Sequence, residues 1–87
     1  MPLRFVAGRR FFDDYADLPP EIQRRVDRAL RRLAENPGHP SLRLRKMEGL
    51  PDIWEVRVTS AYRLTCRIEG DACILRRVGT HEIFRKP

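Results

Sequence analysis

The strongest constraint on this chain is the run Ile53–His81, in which a two-residue hydrophobic period repeats three times between turn signals. Successive side chains of a strand point to opposite faces, so a strict alternation marks a strand with one buried face. Trp54, Val56 and Val58 share one face, and Glu55, Arg57 and Thr59 the other. Ser60-Ala61 makes a turn. From Tyr62 to Glu69, Tyr62, Leu64, Cys66 and Ile68 alternate with Arg63, Thr65 and Arg67. Gly70-Asp71 is a two-residue hairpin signal. A last strand, Ala72–Val78, is apolar at first, turns basic at Arg76 and Arg77, and leads into Gly79-Thr80-His81.

The segments before this run read as scaffold. Leu3–Ala7 is a short first strand, ended by Gly8. Arg9–Asp17 carries Phe11, Tyr15 and Leu18 at helical spacing, with Phe12 supplementing the buried side. Pro19-Pro20 ends that helix and starts the next, because proline is tolerated where the first-turn N–H has no partner. From Glu21 to Glu35 the stripe Ile22, Val26, Ala29, Leu30, Leu33 marks an amphipathic helix. Its other face shows Arg24, Arg25, Arg28, Arg31 and Arg32, either a ridge facing RNA or a partner, or a solvated face. The interruptions at Glu21, Asp27 and Glu35 favour the solvated face. Asn36–Pro40 stops the helix and places His39 in a surface loop. Ser41–Met47 alternates again, with Leu42 and Leu44 inward and Arg43 and Arg45 outward, and reads as a half-buried strand.

Two helices followed by an antiparallel meander predict an α+β fold: an N-terminal helical hairpin packed on one face of a small, twisted, mainly antiparallel sheet. At 87 residues the chain is read as one domain, 1–87. No apolar run approaches the ~18 residues of a membrane span, and the N-terminus lacks a signal-peptide core. The expected location is the cytoplasm.

Two cysteines, Cys66 and Cys73, are too few for a disulfide scaffold and lack metal-ligand spacing; they read as small buried thiols. No metal site and no cofactor are expected.

The net charge of +6 is uneven. Residues 1–40 hold eight basic and six acidic groups; residues 41–87 hold ten and six. Sixteen of the eighteen basic residues are arginine, whose guanidinium fork binds phosphate bidentately. Alternation collects Arg43, Arg45, Arg57, Arg63 and Arg67 on the sheet face away from the helices, with Arg77 and His81 at its far end. Glu55 is the only acid it places there. Such a face suits RNA. Phe84 is the aromatic best placed for base stacking. RNA can be cleaved by its own 2′-OH if charge on the phosphorane is stabilised and two protons are moved. Arg57, Arg63 and Arg77 suit the first task. A histidine, with a reference pKa of about 6.5, suits the second, so His81 is either a general acid or a structural, capping histidine.

The order PPEIQRRVDRALRRLAENP, LRLRKMEGLPDIWEVRV, AYRLTCRIEGD, ILRRVGTHE resembles the RelE/ParE superfamily of bacterial type II toxins over nearly the whole chain. The turn Met47–Asp52, the triplet Tyr62-Arg63-Leu64 and Val78-Gly79-Thr80-His81 carry the resemblance. It implies a RelE-like, microbial-RNase-like fold and, for the RelE-like branch, metal-independent cleavage of mRNA in the ribosomal A site. It implies a cognate antitoxin as partner. Arg63 matches the arginine at the scissile phosphate, Arg57 a basic residue on the preceding strand, Arg77 a basic residue before the Gly-Thr-His turn, and His81 the catalytic histidine of members bearing that turn. Glu55 stands where arginine-type members carry a lysine proposed as base, and either serves as base or marks an altered activity. Phe84 lies nearer His81 than the usual aromatic. The alternatives are a ParE-like inhibitor of DNA gyrase and a non-catalytic RNA- or ribosome-binding module.

Overall fold

The structure is a computed structural model and describes residues 3–50 and 52–87. Strand β1 (Arg4–Ala7) leads into helices α1 (Arg9–Ala16) and α2 (Pro20–Glu35), then β2 (Arg45–Lys46), β3 (Ile53–Arg57), β4 (Arg63–Glu69) and β5 (Ala72–Gly79). Short 3₁₀ turns cover Pro40–Leu42 and His81–Arg85. One sheet has the order β1-β5-β4-β3-β2. β2 to β5 form an antiparallel meander, and β1 pairs parallel to β5, Arg4 opposite Ala72.

The helices form where the sequence predicts them, for local reasons. Pro20 opens α2 with Glu21 in its first turn and Arg32 in its last, each charge matched to its end of the helix dipole. Val26, Ala29 and Leu33 are buried on one stripe. With Phe11 and Leu42 they meet Val56, Leu64, Cys66, Cys73, Leu75 and Val78 on one face of the sheet. A helical hairpin on one face of a mainly antiparallel sheet is the expected α+β architecture. Among the described residues, no helix is long and apolar enough to cross a membrane.

Gly70 sits at φ 60 in the two-residue β4–β5 turn, at a position where a side chain would be strained. The inward set on β5 is Cys73, Leu75 and Val78, not an unbroken alternation. The ladder shifts because Thr65 faces Arg77 while Cys66 faces Leu75, leaving Arg76 as a bulge. That extra residue lets two consecutive arginines interrupt the strand without turning Val78 outward.

Two expectations are corrected. Ser41–Met47 is not a continuous strand: Pro40–Leu42 is a 3₁₀ turn, started where the Nδ1 of His39 accepts the Ser41 N–H. Arg43 then adopts φ 44, and only Arg45 and Lys46 pair with β3. Leu42 is buried from that turn, not from a strand. Phe12 does not supplement the core; it is 62% exposed. Phe11 and Tyr15, one helical turn apart, stack and fill the inner side of the two-turn α1.

Candidate active site

Three strands bring together a row of charged side chains. Arg45 on β2 lies opposite Glu55 on β3, and Glu55 opposite Thr65 on β4. Arg63, two residues before Thr65, is therefore a diagonal neighbour of Glu55 on the same face. Arg45 Nε donates to Glu55 Oε2 at 3.1 Å, and Arg63 Nε pairs with Glu55 Oε1 at 3.4 Å. The Glu55 side chain is only 10% exposed, so its charge is satisfied by two guanidiniums rather than by water.

Arg63 is held from a second side. Its Nη1 donates to the carbonyls of Thr59 and, at 3.1 Å, Tyr62. That β3–β4 turn is closed by Thr59, whose Oγ1 accepts the N–H of Ala61 and of Tyr62. The guanidinium is thus fixed in plane and in direction. Arg63 also lies opposite Gly79 at the end of β5, so the segment just beyond, which holds His81, lands next to it. A Cβ on Gly79 would come within 2.9 Å of Ile83 Cγ2, so a side chain here forces Ile83 or the turn that holds His81 to shift.

The result is an open cleft of about 580 Å³ whose walls include Arg45, Glu55, Arg63, His81 and Phe84. It unites a carboxylate, two guanidiniums, an exposed imidazole and a half-buried aromatic ring. Ser60, Ala61 and Thr80 complete the lining. Nothing in the type of these small turn residues distinguishes cleft wall from ordinary turn, so the sequence alone does not mark them.

The other candidate residues lie elsewhere. Arg57 and Arg43 line a different groove, against α2. Arg67 pairs with Glu69 at 3.3 Å on its own strand. Arg77 is turned away from the cleft, toward α1. Its Nε and Nη2 donate to Asp14 at 2.7 and 3.2 Å, and its Nη1 donates to the Lys86 carbonyl at 3.0 Å. Asp14 Oδ2 also accepts the Val78 N–H at 3.1 Å. The hydrogen bond to Asp14 raises the Arg77 guanidinium above its ordinary value. No short-range signal links Arg77 to Asp14, so alternation alone places the arginine on the basic face.

That face is closed at its centre, since Glu55 and Thr65 are both buried. On the opposite face Cys66 and Cys73 are free, fully buried thiols. The hydrogen bond with Cys73, and then burial, push the Cys66 thiol up, so it keeps its proton. Among the described residues, no three His, Cys, Asp or Glu side chains converge as a metal site.

The model of the ParE toxin of the type II toxin–antitoxin system parDE matches residues 8–83. The chain belongs to this family of type II toxins. No curated protein matches the sequence significantly. Solved structures of related toxins share the fold. The toxin is similar to a mutant of E. coli RelE in the free state, with 19% identity, TM-score 0.76, and coverage of 98% of this chain and 90% of that one. It is similar to a chain of the RelBE2 toxin–antitoxin complex from Mycobacterium tuberculosis, with 23% identity, TM-score 0.74, and coverage of 92% and 99%. It is also similar to a chain of the E. coli DinJ-YafQ toxin–antitoxin complex, with 11% identity, TM-score 0.78, and coverage of 94% and 96%. The family match and these folds place the toxin in the RelE/ParE superfamily, as its turn and triplet motifs indicate.

Proposed function

We propose that the toxin is a ribosome-dependent mRNA endonuclease that acts through the Arg45–Glu55–Arg63–His81 cleft. The observation that carries the reading is the convergence of Glu55, Arg63 and His81 from β3, β4 and the turn after β5 on one cleft. The reaction is attack of a 2′-OH on the adjacent phosphorus. Glu55 takes the proton of the 2′-OH as general base. Arg63, immobilised by Glu55 and the Thr59 and Tyr62 carbonyls, meets the charge that develops on the phosphorane oxygens, and Arg45 supplements it. His81 gives a proton to the departing 5′-oxygen. The phosphorus–O5′ bond breaks as the phosphorus–O2′ bond forms, leaving a 2′,3′-cyclic phosphate and a 5′-hydroxyl. Phe84 offers a face on which a base next to the scissile bond stacks. Arg77 serves as a structural strut and not as a charge stabiliser.

In cells the activity is held in check by a cognate antitoxin, as the toxin–antitoxin complexes formed by similar folds suggest. An antitoxin that binds the folded toxin raises its thermal midpoint, by a stabilisation that grows with the logarithm of its concentration over its Kd.

A second reading has one observation in its favour: the matching family model is that of ParE. On that reading the toxin inhibits DNA gyrase and the cleft is not a nuclease site. The test maps new 5′ ends on an mRNA translated in a purified system, with and without ribosomes, beside His81→Ala. Cuts confined to ribosome-bound mRNA and absent in the variant support the nuclease. Intact mRNA together with trapped gyrase–DNA complexes refutes it.

A further inference from the structure

A second groove lies outside the cleft, and the reaction proposed above leaves it unused. It measures about 590 Å³ and lies between α2, the Pro40–Leu42 turn and the end of β3. Arg25, Arg28, Arg32, Arg43 and Arg57 line it, with no Asp or Glu among its walls. Among the described residues none of the five forms an ion pair with a carboxylate; the pairs present involve Arg4, Arg45, Arg63, Arg67 and Arg77. The acids that interrupt α2 in sequence do not neutralise the groove. Asp27 is engaged by the Tyr15 hydroxyl, and Glu21 and Glu35 lie outside the walls.

Three of the arginines sit at i, i+3 and i+7 of one helix face, a ridge about 10 Å long. Arg43 faces them from the other wall, on a backbone at φ 44 that an arginine rarely adopts. Arg32 Nη1 donates to Ser41 Oγ at 3.1 Å, which steadies one end of the ridge. Five guanidiniums gathered in one concavity repel one another within a Debye length. The arrangement costs stability until an anion enters.

The two cavities meet at the β3–β4 turn, where Ser60 forms part of both walls. We propose that the arginine groove binds the phosphodiester backbone of the same nucleic-acid strand that the cleft engages, carrying it over Ser60 and along α2. This rests on the cleft reading for the identity of the strand. The groove holds phosphates flanking the scissile bond, so it sets affinity and register but carries no base preference. Bidentate guanidiniums without an aromatic wall suit a backbone and not a stacked base.

The experiment measures binding by fluorescence anisotropy, with the free toxin and its Arg28→Ala/Arg32→Ala variant. Both residues are exposed, and a thermal melt checks that the variant is folded. The probes are a 2′-O-methyl trinucleotide, a 2′-O-methyl strand of about ten nucleotides, its DNA equivalent, and polyglutamate of matched charge. Each lost phosphate contact lowers the salt slope of a single strand by about 0.7. Two contacts lower it by about 1.4, which is about a 25-fold loss of affinity at 0.1 M salt. The long strand should show that loss and the trinucleotide should not. Equal losses on RNA-like and DNA strands support a backbone site open to both; a loss confined to the RNA-like strand supports RNA as its source. An unchanged salt slope overturns the proposal, and so does an equal loss on trinucleotide and long strand. A loss on polyglutamate as large as on the long strand overturns it in favour of an acidic protein segment. Failure of the nuclease reading is separable: mRNA stays uncut, while length- and arginine-dependent binding persists.

Discussion

Replacing Asp14 by alanine should lower the thermal midpoint of the toxin by about 15 °C. Asp14 accepts two hydrogen bonds from Arg77 and one from the Val78 N–H, and the Arg77 and Asp14 side chains are 18% and 19% exposed. Breaking a fully buried pair costs about 3–5 kcal/mol, because one charge is left without partner or water. Partial exposure lets water reach the abandoned guanidinium, which reduces the figure to about 2–4 kcal/mol. A chain of this length has about 4–13 kcal/mol to lose. Its unfolding entropy is about 0.18 kcal/mol/K, so about 3 kcal/mol corresponds to about 16 °C. Asp14→Asn keeps an acceptor for Val78 and should lose about half as much. Thermal melts by circular dichroism measure these shifts, and a double-mutant cycle with Arg77→Met should return a coupling of about 1–3 kcal/mol. A shift below about 3 °C for Asp14→Ala, or a coupling near zero, refutes the strut. So does an Arg77→Met variant that keeps its midpoint but no longer cleaves RNA, for then Arg77 belongs to the reaction.

Four further outcomes are expected. His81→Ala should slow ribosome-dependent cleavage by about 10²–10⁴-fold with little change in the melt, since His81 is exposed; end mapping over a time course measures it. Glu55→Gln should slow the same cleavage by a similar factor in the same assay, because its amide cannot take the 2′-OH proton. Gly79→Ala should cost about 1–3 kcal/mol by denaturant titration, because its methyl meets Ile83 Cγ2 at 2.9 Å, and should impair cleavage further by shifting the turn that holds His81. The Tyr15 hydroxyl donates to Asp27, and this raises its pKa above 10.0. The resulting stabilisation is complete below the unfolded value and is lost as pH rises through the higher folded one, so Tyr15→Phe should flatten the alkaline edge of a pH-dependent melt.

What was legible in the sequence depended on whether its cause was local. The alternation from Ile53 to Ile68, the Gly70 turn and the α2 stripe each follow from one residue's geometry and its near neighbours, and each appears in the structure. Ser41–Met47 misled because a 3₁₀ turn followed by a left-handed Arg43 also buries alternate leucines. The bulge at Arg76 has no signature of its own; it is visible only against the partner strand. Within the site, Arg45, Glu55 and Arg63 converge because strand pairing makes them neighbours, which alternation anticipates. Arg77 defeats the same reasoning because its partner, Asp14, is on a helix at the other end of the chain. The arginines of α2 look solvated in one dimension, since the acids between them point elsewhere only in three.

The parallel pairing of β1 with β5 has a temporal meaning. Arg4 finds its partner only at Ala72, and the cleft needs residues from Arg45 to Phe84. A ribosome adding about 5–20 residues per second therefore holds a nascent chain for roughly 3–14 s between making the first strand and making the strand it must lie beside. Throughout that interval the helices have no completed sheet to cover, and no cleft exists. The topology thus delays assembly of the cleft until β5 and the turn beyond it have been made.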